Sequence, residues 1–244
     1  MEPPKTIALK VWDLPIRLVH WAFVVLLVFQ FVSGKVGGRL MPWHVYSGYA
    51  MLVLIVFRVI WGFAGSTHAR FASFLAGPRA ALRFAVRLFS RHAVPQVGHN
   101  PLGGWMVMAL LGSLAIQAVT GLFSNDGVAT EGPLAAQVTL DLSNDLAEIH
   151  RGNFKVLLVL CAIHVLAVLY HLVAKKENLT AAMFTGVKEV PPEALRQRRE
   201  TRPGARPRRV ASRENPRGTF PPAWVSWVVL AVSIAVVAWV VAPH

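Results

Sequence analysis

The chain has 244 residues, of which 55% are hydrophobic and 15% charged, and its mean hydropathy is +0.49. Soluble domains carry about 25% charged residues, so the composition excludes an ordinary soluble domain and points to the membrane. The formal net charge of +13 must then sit in a few polar stretches, where basic loops beside anionic lipid account for it better than nucleic acid does.

In chain order, residues 1–15 contain Trp12, Asp13 and Pro15, and no small-x-small cleavage site follows the next apolar run. That run reads as an uncleaved first span, not a signal peptide. About 20 apolar residues cross about 30 Å of hydrocarbon, and five stretches qualify: 16–34, 43–65, 103–123, 150–174 and 222–242. The link 35–42 carries Lys35 and Arg39. Loop 66–99 carries Arg70, Arg79, Arg83, Arg87 and Arg91 without an acidic residue. Arg79, Arg83 and Arg87 recur every four residues with Leu82, Val86 and Phe89 between them, which predicts an amphipathic helix on the membrane surface. His68, His92 and His99 of this loop read as solvated. Residues 99–104 read as a cap to the third span, which has no histidine and is expected only to pack. Residues 124–148 reverse the charge: Asp126, Glu131, Asp141, Asp145 and Glu148, with no Lys or Arg. The fourth span holds the single cysteine, Cys161, which reads as a packing residue; no C-x-x-C-H motif exists. Residues 175–220 are densely basic, from Lys175 and Lys176 to Arg217. Within them, 188–220 hold Pro191, Pro192, Pro203, Pro207 and Pro216 and read as a mobile tether to the fifth span.

The positive-inside rule puts the N-terminus, loop 66–99 and segment 175–220 in the cytoplasm, and 35–42, 124–148 and His244 outside. Lys35 and Arg39 argue the other way and are outnumbered. The expected organisation is an all-α integral membrane protein: a four-helix domain over 1–188, a basic linker over 189–220 and a C-terminal transmembrane helix over 221–244.

Ionisable residues inside spans are costly and mark function. His20 starts the first span near the cytoplasmic face, and His44 starts the second near the outer face. His150 starts the fourth span outside. His164 lies 14 residues later, about 21 Å further along and turned by about 40°, so both project from one face of the helix. Two histidines therefore share each depth, and each pair joins two helices. That is what two bis-histidine haems b require: His20 with His164 inside, and His44 with His150 outside. A zinc or copper site would gather ligands at one depth beside carboxylates or thiolates. Arg17, Arg58 and, outside, Arg151 suit haem propionates or lipid headgroups equally. His171, about 10 Å past His164, suits either a quinone carbonyl with proton exchange to water or a structural role. Gly34, Gly48, Gly62, Gly104, Gly112 and Gly121 suit close approach of helices or macrocycles.

The pieces WDLPIRLVHW (12–21), HVYSGYA (44–50), FRVIWGFAG (57–65), HNPLGGW (99–105), TG (120–121), EIH (148–150) and HVLAVLYH (164–171) together resemble the bacterial cytochrome b561 and nickel-hydrogenase cytochrome b family. The resemblance covers about residues 10–188. It implies a four-helix transmembrane bundle in the bacterial inner membrane, holding two haems b and moving electrons between the quinone pool and a partner. It implies ligand roles for His20, His44, His150 and His164, and a quinone-site role for His171. The linker and fifth span lie outside the family core and either dock a partner subunit or add nothing to the chemistry.

The expected function is electron transfer between membrane quinone and a periplasmic cytochrome c or an oxidoreductase or hydrogenase subunit, with membrane lipid around it and no nucleic acid. The acidic stretch 124–148 favours a basic partner. The resemblance also allows a stand-alone enzyme that oxidises superoxide and reduces quinone, which stopped-flow superoxide consumption with added quinone would separate. A rival of another class is a haem-free anchor or metal transporter binding Zn²⁺ or copper through the same histidines.

Overall fold

A computed structural model describes residues 6–88, 98–125, 127, 130–192 and 219–242. The readings placed on Phe89, Arg91, His92, Asp126, His244, the Arg87 side chain and most of the tether (193–218) lie outside the described residues.

The described elements are β1 (Ile7–Lys10), α1 (Leu14–Val36), α2 (Met41–Ala64), α3 (Phe71–Phe74), α4 (Pro78–Leu88), α5 (Pro101–Phe123), α6 (Leu140–Ala174), α7 (Leu179–Thr185), β2 (Val187–Val190) and α8 (Ala223–Val241). Five helical stretches are long and apolar enough to cross a membrane, those of α1, α2, α5, α6 and α8. Side-chain caps satisfy orphan N–H groups at the start of three of them, α1, α5 and α6. The Asp13 carboxylate accepts the Ile16 N–H at 2.8 Å and so caps α1. Asn100 accepts the Gly103 N–H at 2.7 Å and caps α5, with Pro101 at the first helical position, where its missing N–H costs nothing. The turn between α1 and α2 runs through Gly37 and Gly38 at φ +62° and +52°, a backbone region open to glycine at little cost.

The fourth span departs from expectation. Helix α6 begins at Leu140, not at His150, so Asp141, Asp145 and Glu148 belong to its first turns and not to a loop. Thr139 caps it through the Leu142 N–H at 3.3 Å, and the buried Ser143 donates to the Phe123 carbonyl at 2.7 Å. Its 35 residues rise about 52 Å, more than the about 30 Å of hydrocarbon. Hydropathy registers only the lipid-embedded part of such a helix; capping and packing extend the rest.

The chain forms two compact units. One comprises Met1–Arg17, Gly62–Met106 and Val165–Pro221. Here β1 pairs antiparallel with β2, Ile7 opposite Val190 and Lys10 opposite Val187. The Gly186 carbonyl extends the ladder by accepting from Val11 and Trp12. Gly186 ends α7 at φ +81°, and a Cβ there would stand 2.7 Å from the Trp12 carbonyl oxygen. Leu9, Val11, Trp12 and Val190 are buried in this unit. Nothing in the N-terminal residues alone announces the strand, because its partner lies far along the chain. On α4, Ala81 is buried while Arg79, Leu82, Arg83 and Val86 are exposed, the composition of an interfacial helix.

The other unit comprises Leu18–Trp61, Val107–His164 and Pro222–His244. Helix α8 packs here through Val229, Ser233 and Val237, one stripe of the helix. Val237 shares a buried cluster with Leu52 of α2, Leu122 of α5 and Leu134. The buried Ser233 hydroxyl is satisfied by the Val229 carbonyl at 2.7 Å. Helices α5 and α6 are clamped by Asn153, which donates to the Ser113 carbonyl at 2.9 Å and to Gln117 Oε1 at 2.7 Å and accepts from the Ser113 hydroxyl at 3.0 Å.

Candidate haem-binding site

All four histidines expected to pair lie in the second unit, where the rings of His20 and His164, and those of His44 and His150, are neighbours. The His20 and His164 rings have centroids 6.4 Å apart with planes at 57°. His44 and His150 are likewise 6.4 Å apart, at 74°. An imidazole–metal bond of about 2.0–2.1 Å, plus roughly 1.1 Å from each nitrogen to its ring centre, places two trans imidazoles roughly 6.3 Å apart. Direct contact between the rings would be shorter and an unrelated pair would fall anywhere, so the spacing fits a metal held between each pair.

Hydrogen bonding sets which nitrogen faces the gap in the outer pair. His150 Nδ1 lies 2.9 Å from the Gln117 carbonyl oxygen, which can only accept, so Nδ1 carries the proton and Nε2 keeps its lone pair. Thr120 Oγ1, 3.3 Å from the same Nδ1, already donates to the Ile116 carbonyl at 2.6 Å and acts as a second acceptor. His44 Nδ1 lies 3.0 Å from Ser33 Oγ, and that hydroxyl donates to the Phe29 carbonyl at 2.8 Å, so His44 donates too. Metal-binding histidines characteristically give their second N–H to such an acceptor, which fixes tautomer and ring orientation. His20 Nδ1 has no hydrogen-bond partner among the described residues.

Two glycines complete the outer pair. A Cβ at Gly34 would stand 3.2 Å from His44 Cε1, and one at Gly121 would stand 3.0 Å from His150 Cε1. The third span therefore does more than pack. Gln117, Thr120 and Gly121 of α5 hold and accommodate an imidazole that α6 supplies, and Ser33 and Gly34 of α1 do the same for His44. A T-G pair and an S-G pair, each opposite a histidine, are the traces these contacts leave in the sequence. They become readable only once the helices are paired.

Of the candidate arginines, Arg17 donates through Nη1 to the Phe184 carbonyl. Arg58 is buried at 8% exposure. Arg151 forms an exposed ion pair with Glu148 on the same helix, at 2.6 Å. Cys161 is unpaired and half-buried. No three His, Cys, Asp or Glu residues come together among the described residues, so a closed zinc-type ligand set is not assembled there.

In the first unit, His171 sits in a polar network. Its Nδ1 is 3.1 Å from Glu177 Oε2 and its Nε2 3.4 Å from Asn100 Nδ2; Lys188 Nζ is 3.6 Å from Glu177 Oε2. Burial works against the Glu177 carboxylate, but the His171 N–H and the Lys188 charge outweigh it and hold its carboxyl below the usual range. Burial pulls the Lys188 ammonium below its usual value despite the Glu177 charge. The reading of His68 and His99 as solvated is corrected. His68 is 5% exposed. His99 lies against the rings of Trp12 and Phe74, each at a centroid distance of 4.6 Å.

Comparison with known proteins agrees with this geometry. The "Probable Ni/Fe-hydrogenase B-type cytochrome subunit" of Azotobacter chroococcum mcd 1 is 30% identical, over 41% of this chain and 51% of that protein. The chain thus spans about half the length of the curated relative it matches. No solved structure matches. The family model for prokaryotic cytochrome b561 matches residues 11–186, well over half the chain, so the chain belongs to the prokaryotic cytochrome b561 family and is a multi-pass, b-type membrane cytochrome.

Proposed function

We propose that the chain binds two haems b, one between His20 and His164 and one between His44 and His150, and that it carries electrons between membrane quinone and a redox partner on the periplasmic face of the bacterial inner membrane. The observation that carries this reading is the common 6.4 Å spacing of the two imidazole pairs. Haem b held between these imidazoles would supply a one-electron couple. The chain's own contribution is to hold the imidazoles. Ser33, Gln117 and Thr120 orient two of them, and Gly34 and Gly121 clear the space beside them.

Orientation follows the positive-inside rule, with the N-terminus, loop 66–99 and the basic tether in the cytoplasm. The relative's description as a hydrogenase cytochrome subunit favours an oxidoreductase subunit as partner; a periplasmic cytochrome c is the alternative of the same charge logic. Asp141, Asp145 and Glu148, exposed in the first turns of α6, favour a basic docking face. Arg17, Arg58 and Arg151 are the candidates for propionate contacts, and His171 is the candidate quinone contact.

A pyridine haemochrome assay with a reduced-minus-oxidised spectrum tests the central claim. Two non-covalent low-spin haems per chain are expected, with one remaining in His20→Leu and one in His44→Leu. Haem-free protein refutes it. Docking is tested by neutralising Asp141, Asp145 and Glu148; transfer to the partner that stays unchanged and salt-independent removes the charge argument.

A further inference from the structure

We propose that Glu177, braced by Lys188, is a positioning residue that holds neutral His171 as the Nδ1–H tautomer with Nε2 as its acceptor, making His171 the proton-exchanging group for quinol or quinone. This rests on the quinone reading above and extends it to residues outside the histidine set.

The hydrogen bonds leave one arrangement. Asn100 Oδ1 is occupied by the Gly103 N–H at 2.7 Å, so its NH₂ faces His171 Nε2 at 3.4 Å. An amide NH₂ can only donate, so Nε2 must be the acceptor and the proton of neutral His171 sits on Nδ1. That proton points at Glu177 Oε2, 3.1 Å away. The backbone is built for this contact. Helix α6 closes with the Glu177 N–H bonded to the His171 carbonyl at 2.9 Å, and Lys176 takes φ +57°, the left-handed position of such a cap. The turn folds Glu177 back over the last turn of the helix. From β2, Lys188 reaches the same carboxylate; the His171 and Glu177 side chains are 13% and 12% exposed. The groups facing His171 are thus Glu177 from the turn after α6 and Asn100 from the turn before α5, with Lys188 acting through Glu177.

The chemistry follows from donor and acceptor counts. Oxidation of a quinol releases two protons and two electrons; haem b held by the imidazole pairs as proposed above would be the electron acceptor. Each proton is taken in turn at Nε2, giving an imidazolium opposite the Glu177 carboxylate, and is passed to water before the next arrives. Quinone reduction runs the same transfers backwards. A proton on Nε2 faces the Asn100 NH₂, donor against donor, and Asn100 cannot turn over without uncapping α5. A quinol O–H therefore has to displace the long Asn100 contact of 3.4 Å to reach Nε2, and the contact cannot re-form until the proton has left.

Two measurements on the full-length holoprotein in nanodiscs test this. In ¹⁵N-histidine NMR, with His171→Gln assigning the signal, neutral His171 is expected as the Nδ1–H tautomer. Glu177→Gln, nearly isosteric, removes the charge that favours a proton on Nδ1 and is expected to raise the share of the Nε2–H tautomer, and Glu177→Asp to reverse part of the change. A wild-type Nε2–H tautomer, or a tautomer balance indifferent to Glu177→Gln, overturns the proposal without involving quinone. In stopped flow with decylubiquinol, Glu177→Gln is expected to slow reduction severalfold at unchanged KM. Wild-type protein that decylubiquinol does not reduce overturns the quinone reading, and the tautomer result then stands or falls alone. A rate unmoved while the tautomer balance moves overturns the proton-exchange role.

Discussion

Gly121 offers a direct test of the imidazole cradle, because the structure says how far a methyl group there would intrude. A Cβ at this position would sit 3.0 Å from His150 Cε1 and 3.2 Å from its Nδ1, against about 3.5–4.0 Å for a relaxed carbon contact. The ring cannot simply retreat. Its Nδ1–H is held by the Gln117 carbonyl at 2.9 Å and approached by Thr120, so relief of the overlap strains those bonds. Overpacking of this kind costs about 1–3 kcal/mol, which corresponds to a loss in haem affinity of about 5- to 150-fold. Gly121→Ala should therefore lose haem from the outer pair on titration with a competing apo-haem protein, while the His20–His164 pair keeps its own. Gly112→Ala is the control on the same helix, since nothing lies within 4 Å of a Cβ there; it should match wild type or gain slightly from the better helix former. Equal haem retention by the two variants would refute the cradle.

Three further outcomes are expected. Ser33→Ala leaves the His44 Nδ1–H without its acceptor, and loss of such a support costs about 10- to 100-fold in metal-site affinity; haem titration of the outer pair reads it. Asn153→Leu abandons the Ser113 and Gln117 groups it satisfies, which should destabilise the bundle by about 1–3 kcal/mol, seen as a lower unfolding midpoint in detergent. Because the folded state holds the Glu177 carboxyl below its ordinary range under His171 and Lys188, its stabilisation is complete above about pH 4.3 and is lost as pH falls through the depressed value. Amide exchange at Val11 and Trp12 should accordingly rise only under stronger acid, and Lys188→Met should bring the rise to higher pH.

Some of this protein was legible in the residues by themselves. Apolar runs of the right length can do little except span a bilayer, so five candidate spans follow from hydropathy. A helix of known rise also converts the spacing of His150 and His164 into depth, which is why the ring neighbours His20–His164 and His44–His150 could be sought in the sequence. Tertiary structure decided what hydropathy does not register. The start of α6 at Leu140 depends on a threonine cap and on Ser143 reaching the Phe123 carbonyl. The β1–β2 ribbon depends on a partner strand from the other end of the family region. The burial of His68 and the packing of His99 against Trp12 and Phe74 depend on segments far apart in the sequence meeting. The same holds at the site. Ser33, Gly34, Gln117, Thr120 and Gly121 look like ordinary helix residues until a neighbouring helix brings an imidazole against them, and Glu177 looks like a surface acid until a turn and Lys188 bury it beside His171. Periodicity and composition are properties of one segment, whereas hydrogen-bond partners and steric clearance belong to pairs of segments that only the folded chain brings together.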